Sequence, residues 1–325
     1  MPWHTPQSER TGRGPVLFLV FCGIAVVVLS LQYISSTNPT ALESATARFN
    51  SFISSSRPSS TCSVDRSLVA EYGAYNIKLS RVHEGSGWRV QRFMERLEEG
   101  RPVKVAVIGG SVSLGHGADT AGHPAVYNAV PETWHYHIKN WINEQYGEQD
   151  FVNGAIAATD ASFFRFAWSD QVHLQEGLPD LVLIELDVNN LYDDEARNAT
   201  EMMLRSILQL PNQPAVIFVG AFAKMSQTGF GGLLNGGDMN MPLMAYYDVP
   251  GISVRGPLLP ALFRNASLAE PYFRGDRMHI TAPVHRMLGD MVIVYLQLAG
   301  AALRAEVAGG KGHGNGSAAF SSLAA

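Results

Sequence analysis

Apolar and polar positions along this chain follow two different periods. Short apolar runs at 103–109, 150–153, 181–186, 214–219 and 251–254 carry most of the β-branched residues, and most of them stop at or beside Gly, Asn or Asp. Runs of this length and composition predict buried parallel strands. Between them the spacing becomes helical: Val90, Phe93, Met94 and Leu97 share one face over 88–97, and Trp134, Ile138, Trp141 and Ile142 share one over 132–146. Further helices are expected over 160–174, 195–210 and 284–307, with Phe163, Phe164, Phe166 and Trp168 read as core. The last helix contains the run Met291-Val292-Ile293-Val294-Tyr295-Leu296, but Asp290, Gln297 and its glycines predict burial against a sheet instead of a membrane span. Alternation of strand and helix predicts one α/β domain over 65–307, a three-layer α/β/α sandwich around a central, mostly parallel sheet.

Outside that domain the pattern changes. Residues 15–34 form an uncharged apolar run of the roughly 20 residues that can cross a bilayer. Arg10 and Arg13 precede it and no Lys or Arg follows closely, so the expected arrangement is a cytosolic tail (1–14), a signal anchor, and a domain in the lumen of the secretory pathway. A cleaved signal peptide, leaving a secreted protein, is the alternative. Residues 35–64 are polar and serine-rich and read as a flexible stem, and 308–325 as a disordered tail. Inside the domain, 224–241 is rich in Gly and Met and too long for an ordinary connection, so it is expected to be a lid or disordered.

A formal net charge of -5 and the lack of any dense Lys/Arg cluster exclude an electrostatic footprint for nucleic acid. Cys22 lies in the apolar run and Cys62 stands alone, so the domain cannot close an internal disulfide. Asn198, Asn265 and Asn315 begin N-glycosylation triplets.

The candidate chemistry sits at strand ends. Ser111 follows the first strand, Gly154 the second and Asn189 the third, and in a parallel sheet these ends share one rim. A serine hydroxyl becomes a nucleophile when a base takes its proton. His279 is the candidate base, and Asp276, three residues earlier, can hold the other ring nitrogen and stabilise the imidazolium. The N–H groups of Ser111 and Gly154 with the Asn189 amide can then donate to an oxyanion. Asp160 and Glu185 are carboxylates near strand ends, but their spacing marks no glycosidase pair. His285 is expected to be packed. His116 with His123, and His135 with His137, have no accompanying Cys or carboxylate set, so no metal or other cofactor is expected.

The order of these blocks, Gly109-Gly110-Ser111, Gly154, Asn189 and Asp276-Arg277-Met278-His279 followed by a helix beginning Val284-His285-Arg286, resembles the SGNH (GDSL-type) hydrolases over roughly 103–300. That resemblance implies a flavodoxin-like sandwich, a nucleophilic Ser111, an oxyanion hole of Ser111, Gly154 and Asn189, and the pair Asp276 and His279. It also implies a serine esterase acting on small acyl esters, with a glycan or related metabolite as the expected carrier. The chain departs from the pattern at Gly110, where the family often has Asp, at Asp187 and Asn190 beside Asn189, and at Ile280, where Pro is common. Of these, Asn190 has the means to disturb the loop that orients Asn189. Two alternatives remain open. One is a lumenal polysaccharide O-acyltransferase similar to the trichome-birefringence-like proteins, whose cysteines and Trp after His this chain lacks. The other is a glycan-binding or scaffold protein of the same fold without turnover.

Overall fold

The computed structural model describes residues 64–118, 130–223 and 235–308. The expected anchor, both cysteines, His123, Asn315, the two tails, nearly all of the stem and residues 224–234 of the expected lid lie outside the described residues. The chain divides into two units, 1–59 and 60–325, and every described residue belongs to the second.

Six strands form one sheet: β1 (Arg81–His83), β2 (Lys104–Gly109), β3 (Asp150–Asn153), β4 (Leu181–Glu185), β5 (Ala215–Gly220) and β6 (Gly251–Ser253). Their spatial order is β1-β6-β5-β4-β2-β3. All neighbouring pairs are parallel except β1, which runs antiparallel at the edge with Arg81 opposite Ile252. The five parallel strands therefore lie in the 2-1-3-4-5 order of a flavodoxin-like doubly wound sheet. The direction of winding reverses between β2 and β4, and the crevice outside their carboxyl ends is where such folds bind ligands.

Successive side chains of each strand go to opposite faces, and each face is covered. Val105, Val107, Leu181, Leu183, Ile217 and Val219 pack beneath α3 (Trp88–Glu98), α5 (Trp134–Tyr146) and α10 (Ala282–Ala308). Ala106, Ile108, Val182, Ile184, Val216 and Phe218 pack beneath α6 (Ala161–Gln171) and α7 (Asp194–Leu208). The α6 and α7 helices begin where Asp160 and Asp193 accept the N–H groups of Ser162 and Ala196. Residues Ala282–Ala305 are long and apolar enough to cross a membrane by length and composition. The helix nevertheless buries Leu288, Val292 and Leu296 completely in the sheet's core, as expected from the polar residues on it.

Several expectations need correction. Residues 235–241 are ordered, as a 3-10 turn (Gly236–Asn240) running into the helix Met241–Tyr247, and Asn235, the residue that caps the turn, exchanges hydrogen bonds with Asp238 in a capping box. Phe164 and Trp168 are core, but Phe163 and Phe166 face solvent at 41% and 71% exposure, because a helix laid on a sheet buries only one stripe. The edge strand β1 and the helices Arg66–Tyr72, Ala74–Ser80 and Arg255–Arg264 were not anticipated.

The core placement is checked by Leu183→Ala, which empties a fully buried position between β2 and β5. Urea denaturation should show a loss of about 2–5 kcal/mol, against less than about 1 kcal/mol for the exposed Phe263→Ala. Equal losses would contradict the packing.

Candidate active site

Ser111 opens α4 (Ser111–Leu114), a single helical turn that starts two residues after β2 ends and is stopped by Gly115 in a left-handed conformation, φ 100°. As the first residue of that turn, Ser111 has an N–H without an intrahelical acceptor. Asp276 and His279 sit on a loop closed by a bridge between Phe273 and Ile280 and by the Arg274 N–H donating to the His279 carbonyl at 2.9 Å. Within the loop, Asp276 Oδ1 accepts the N–H groups of Met278 at 2.8 Å and His279 at 3.0 Å. An aspartate that folds its own backbone in this way explains why the histidine follows at the third position.

The three side chains meet. Ser111 Oγ–H donates to His279 Nε2 at 2.8 Å, and His279 Nδ1–H donates to Asp276 Oδ2 at 2.8 Å, which requires the ring proton on Nδ1. Ser111 is 6% exposed, while nearly half of the Asp276 side chain is accessible. Burial pushes the Asp276 pKa up, but the hydrogen bonds from the His279 ring and from the two N–H groups outweigh it and hold the carboxyl at about 2. The neighbouring segment is pressed against this loop: a Cβ on Gly117 would lie 2.0 Å from the Ile280 carbonyl oxygen, and the His116 ring tilts over the His279 ring at 5.2 Å. Burial, with the His279 ring next, lowers the His116 pKa.

Asn189 also reaches the turn that Ser111 opens. A Cβ on Gly110 would fall 2.1 Å from Asn189 Oδ1 and 3.2 Å from Nδ2, so the amide occupies the space a side chain at position 110 would need. A larger residue at 110, such as the Asp of the resemblance, would need this amide to turn aside. The oxygen side of the amide faces Gly110, is buried and has no hydrogen-bond partner among the described residues, and Nδ2 lies on the farther side.

Gly154 does not join this group as a donor. Its N–H is spent on the Val107 carbonyl at 2.9 Å, extending the β2–β3 ladder. Its missing side chain instead admits the Gln171 carbonyl, 2.7 Å from where a Cβ would stand. Asn190 is corrected in the opposite sense, for it steadies the loop: Oδ1 accepts the Ala161 N–H at 3.0 Å and Nδ2 donates to Thr200 Oγ1 at 3.2 Å. Asp187 turns its carboxyl between Gly220 and Gly237, where a Cβ on either would approach Oδ2 to 2.7 and 2.2 Å. Desolvation there raises its pKa, and Arg255 opposes the rise. A cavity of about 130 Å³ adjoins it, lined by Asn235, Asp238, Ser253 and Arg255 among others, and includes none of Ser111, Asp276 or His279.

One residue of this rim carried no sequence signal. Ala158 has a left-handed backbone, φ 57°, in an exposed turn. The turn is clamped at both ends, by the Ile156 N–H on the Gly109 carbonyl and by Ala161 on Asn190, each at 3.0 Å. A glycine at 158 would have drawn attention; alanine concealed it. Of the other singled-out residues, His285 is completely buried with Nε2 at 3.4 Å from the His116 carbonyl. Asp160 is the α6 cap. Asn198 and Asn265 are both exposed.

No protein-family model and no curated protein sequence matches this chain. Solved structures do. A two-domain esterase active on acetylated mannans, co-crystallised with mannopentaose, matches with a TM-score of 0.58 at 20% identity, over 68% of this chain and 56% of that one. A second structure of a two-domain esterase active on acetylated mannans gives 0.58 at 18% identity, over 69% and 56%. The chain thus spans little more than half the length of the esterases it matches. What is shared at this identity is the fold, and it is the fold that the SGNH resemblance implied.

The hold on Asp276 has a consequence in acid. A carboxyl whose folded-state pKa is about 2 against an ordinary 3.8 contributes stability that is fully present above the ordinary value and is lost as pH falls through the folded one. Between about pH 5 and 2.5 the wild type should therefore lose more unfolding free energy than Asp276→Asn, as read by urea titration at each pH. Parallel curves would contradict the assigned bonds.

Proposed function

We propose that this chain is a serine esterase of the SGNH type, removing small acyl groups, acetyl foremost, from carbohydrate esters through an acyl-enzyme. The observation that carries this reading is the unbroken relay from the Ser111 hydroxyl through the His279 ring to the Asp276 carboxylate. Its position supports the same reading, at the winding reversal of a sheet whose fold is shared with esterases.

In the proposed reaction the Ser111 oxygen attacks the acyl carbonyl as its proton passes to His279 Nε2, and Asp276 stabilises the imidazolium without itself being protonated. The Ser111 N–H and Asn189 Nδ2 stabilise the negative oxygen, and loss of one such donor costs about 2.7–4 kcal/mol in the barrier. With Gly154 committed to the sheet, the third donor falls to the clamped loop, at the Ala158 N–H. A non-glycine residue held at positive φ is strained by about 1–3 kcal/mol, and such strain concentrates at functional sites. The carbonyl then re-forms as the bond to the sugar oxygen breaks, and His279 returns the proton to that oxygen. Water repeats the attack on the acyl-enzyme, which releases the acid and restores Ser111.

The carbohydrate part of the proposal draws on the matched esterases, which act on acetylated mannans. It fits a domain held in the secretory lumen by an anchor at 15–34, which is part of the same proposal.

A fluorophosphonate probe should label the wild type and leave Ser111→Ala unlabelled. Release of p-nitrophenol from p-nitrophenyl acetate should fall by about 10⁴-fold or more in Ser111→Ala and in His279→Ala. Acetate release from acetylated manno-oligosaccharides should fall with it. A wild type that takes no label, or a Ser111→Ala variant that still does, would overturn the esterase reading.

A further inference from the structure

Beneath the nucleophile lies a carboxyl that the relay does not use. Glu185 is the last residue of β4 and is completely buried. Ser113 Oγ–H donates to its Oε2 at 2.8 Å, and the indole N–H of Trp134 donates to the same hydroxyl at 3.2 Å. The Ser113 carbonyl accepts from His135 Nε2 at 2.8 Å and from Asn153 Nδ2 at 3.1 Å. Backbone N–H groups of Gly110 and Ser113 also face the carboxyl, while Oε1 has no full hydrogen bond of its own among the described residues. Gly109 makes the room, since a Cβ there would lie 2.3 Å from Ser113 Oγ.

A four-residue helix cannot hold itself. Forming one turn fixes several dihedral angles for a single hydrogen bond, so the geometry of 111–114 must come from its surroundings. The groups that grip it from below converge on Ser113, two residues from the nucleophile, and one of them is an acid. A carboxyl is expensive to bury where an apolar side chain would pack at less cost. Burial, only partly offset by the Ser113 hydroxyl and the N–H groups, pushes its pKa up to about 8. Near neutral pH it is therefore mostly protonated and sets no full charge under the developing oxyanion.

We propose that Glu185 is a positioning residue: by holding the 110–113 turn through Ser113 it sets the Ser111 hydroxyl where the His279 ring can take its proton. The assignment rests on the serine-esterase reading, in which Ser111 is the nucleophile. Misplacement by about 1 Å costs about 10²-fold in rate.

The test compares the full chain as wild type, Glu185→Ala, Glu185→Gln and Ser113→Ala. The readouts are kcat and KM on p-nitrophenyl acetate, the rate constant for fluorophosphonate labelling, and the melting temperature. Glu185→Ala should lower kcat and the labelling rate by about 10²-fold with KM changed less than about twofold, because the turn is displaced and the binding surface is not. Glu185→Gln keeps the shape and an acceptor and should recover to within about tenfold of wild type. Ser113→Ala should lose about tenfold. A folded Glu185→Ala with wild-type kcat and labelling overturns the assignment, as does a kcat loss matched by a rise in KM. Should Glu185→Ala fail to fold, Ser113→Ala decides, and a wild-type labelling rate in it overturns the assignment. If the wild type itself takes no label, the esterase reading falls and takes Glu185 with it; a labelled wild type with unaffected variants removes Glu185 alone.

Discussion

The register in which β2 lies beside β4 determines what can happen at the rim. Gly109 pairs with Glu185, so the two strands end level, and the chain leaves β2 at Gly110 and Ser111 just as it leaves β4 toward Asn189. A slip of one residue would send every side chain of β2 to the opposite face, exchanging the set that includes Val105 and Val107 for the one that includes Ala106 and Ile108. Both faces are filled, so that slip is forbidden by packing on two sides at once. Two adjacent glycines then make the level ending usable. Gly109 leaves space for Ser113 above Glu185, and Gly110 leaves space for the Asn189 amide.

The second half of the site is delivered from a position 168 residues away, and it is also held by backbone. The loop from Phe273 to Ile280 is closed by its own bridge and shaped by the Asp276 carboxylate, so the histidine's orientation is set locally. Gly117 brings the segment after Ser111 down onto Ile280. The relay is therefore bracketed on one side by strand register and on the other by a close backbone contact, which leaves the Ser111–His279 separation little freedom. Asn190 and Gly236 extend the same scheme, tying the Asn189 loop to the start of α6, to Thr200 on α7 and to the 235–240 turn.

What was legible in the sequence follows from these constraints. The five parallel strands showed because full burial on both faces demands continuous apolar runs, Ser111 and Asn189 because they stand where such runs stop, and Asp276 and His279 through their three-residue spacing ahead of the closing helix. The edge strand Arg81–His83 did not, since a short strand exposed on one side needs no apolar pattern. The helix Arg255–Arg264 carries Pro257 and Pro260, residues that interrupt the usual helical signal. Gly154 was misread because a glycine after a strand looks the same whether it frees an N–H or admits a neighbouring carbonyl, and only the three-dimensional neighbours tell the two apart. Ala158 and Glu185 were missed for a related reason: a strained alanine has no compositional mark, and a lone carboxylate was weighed only for a partner carboxylate, not for a turn to hold.

The central claim is that Ser111, His279 and Asn189 serve attack on one carbonyl group. It is tested most directly by a crystal structure of the full chain after reaction with a small alkyl phosphonate. The account predicts a covalent bond from Ser111 Oγ to phosphorus, with a phosphoryl oxygen within about 3.1 Å of both Asn189 Nδ2 and the Ser111 N–H. Phosphorus bonded to any other residue, or a phosphoryl oxygen turned away from Asn189, would contradict it.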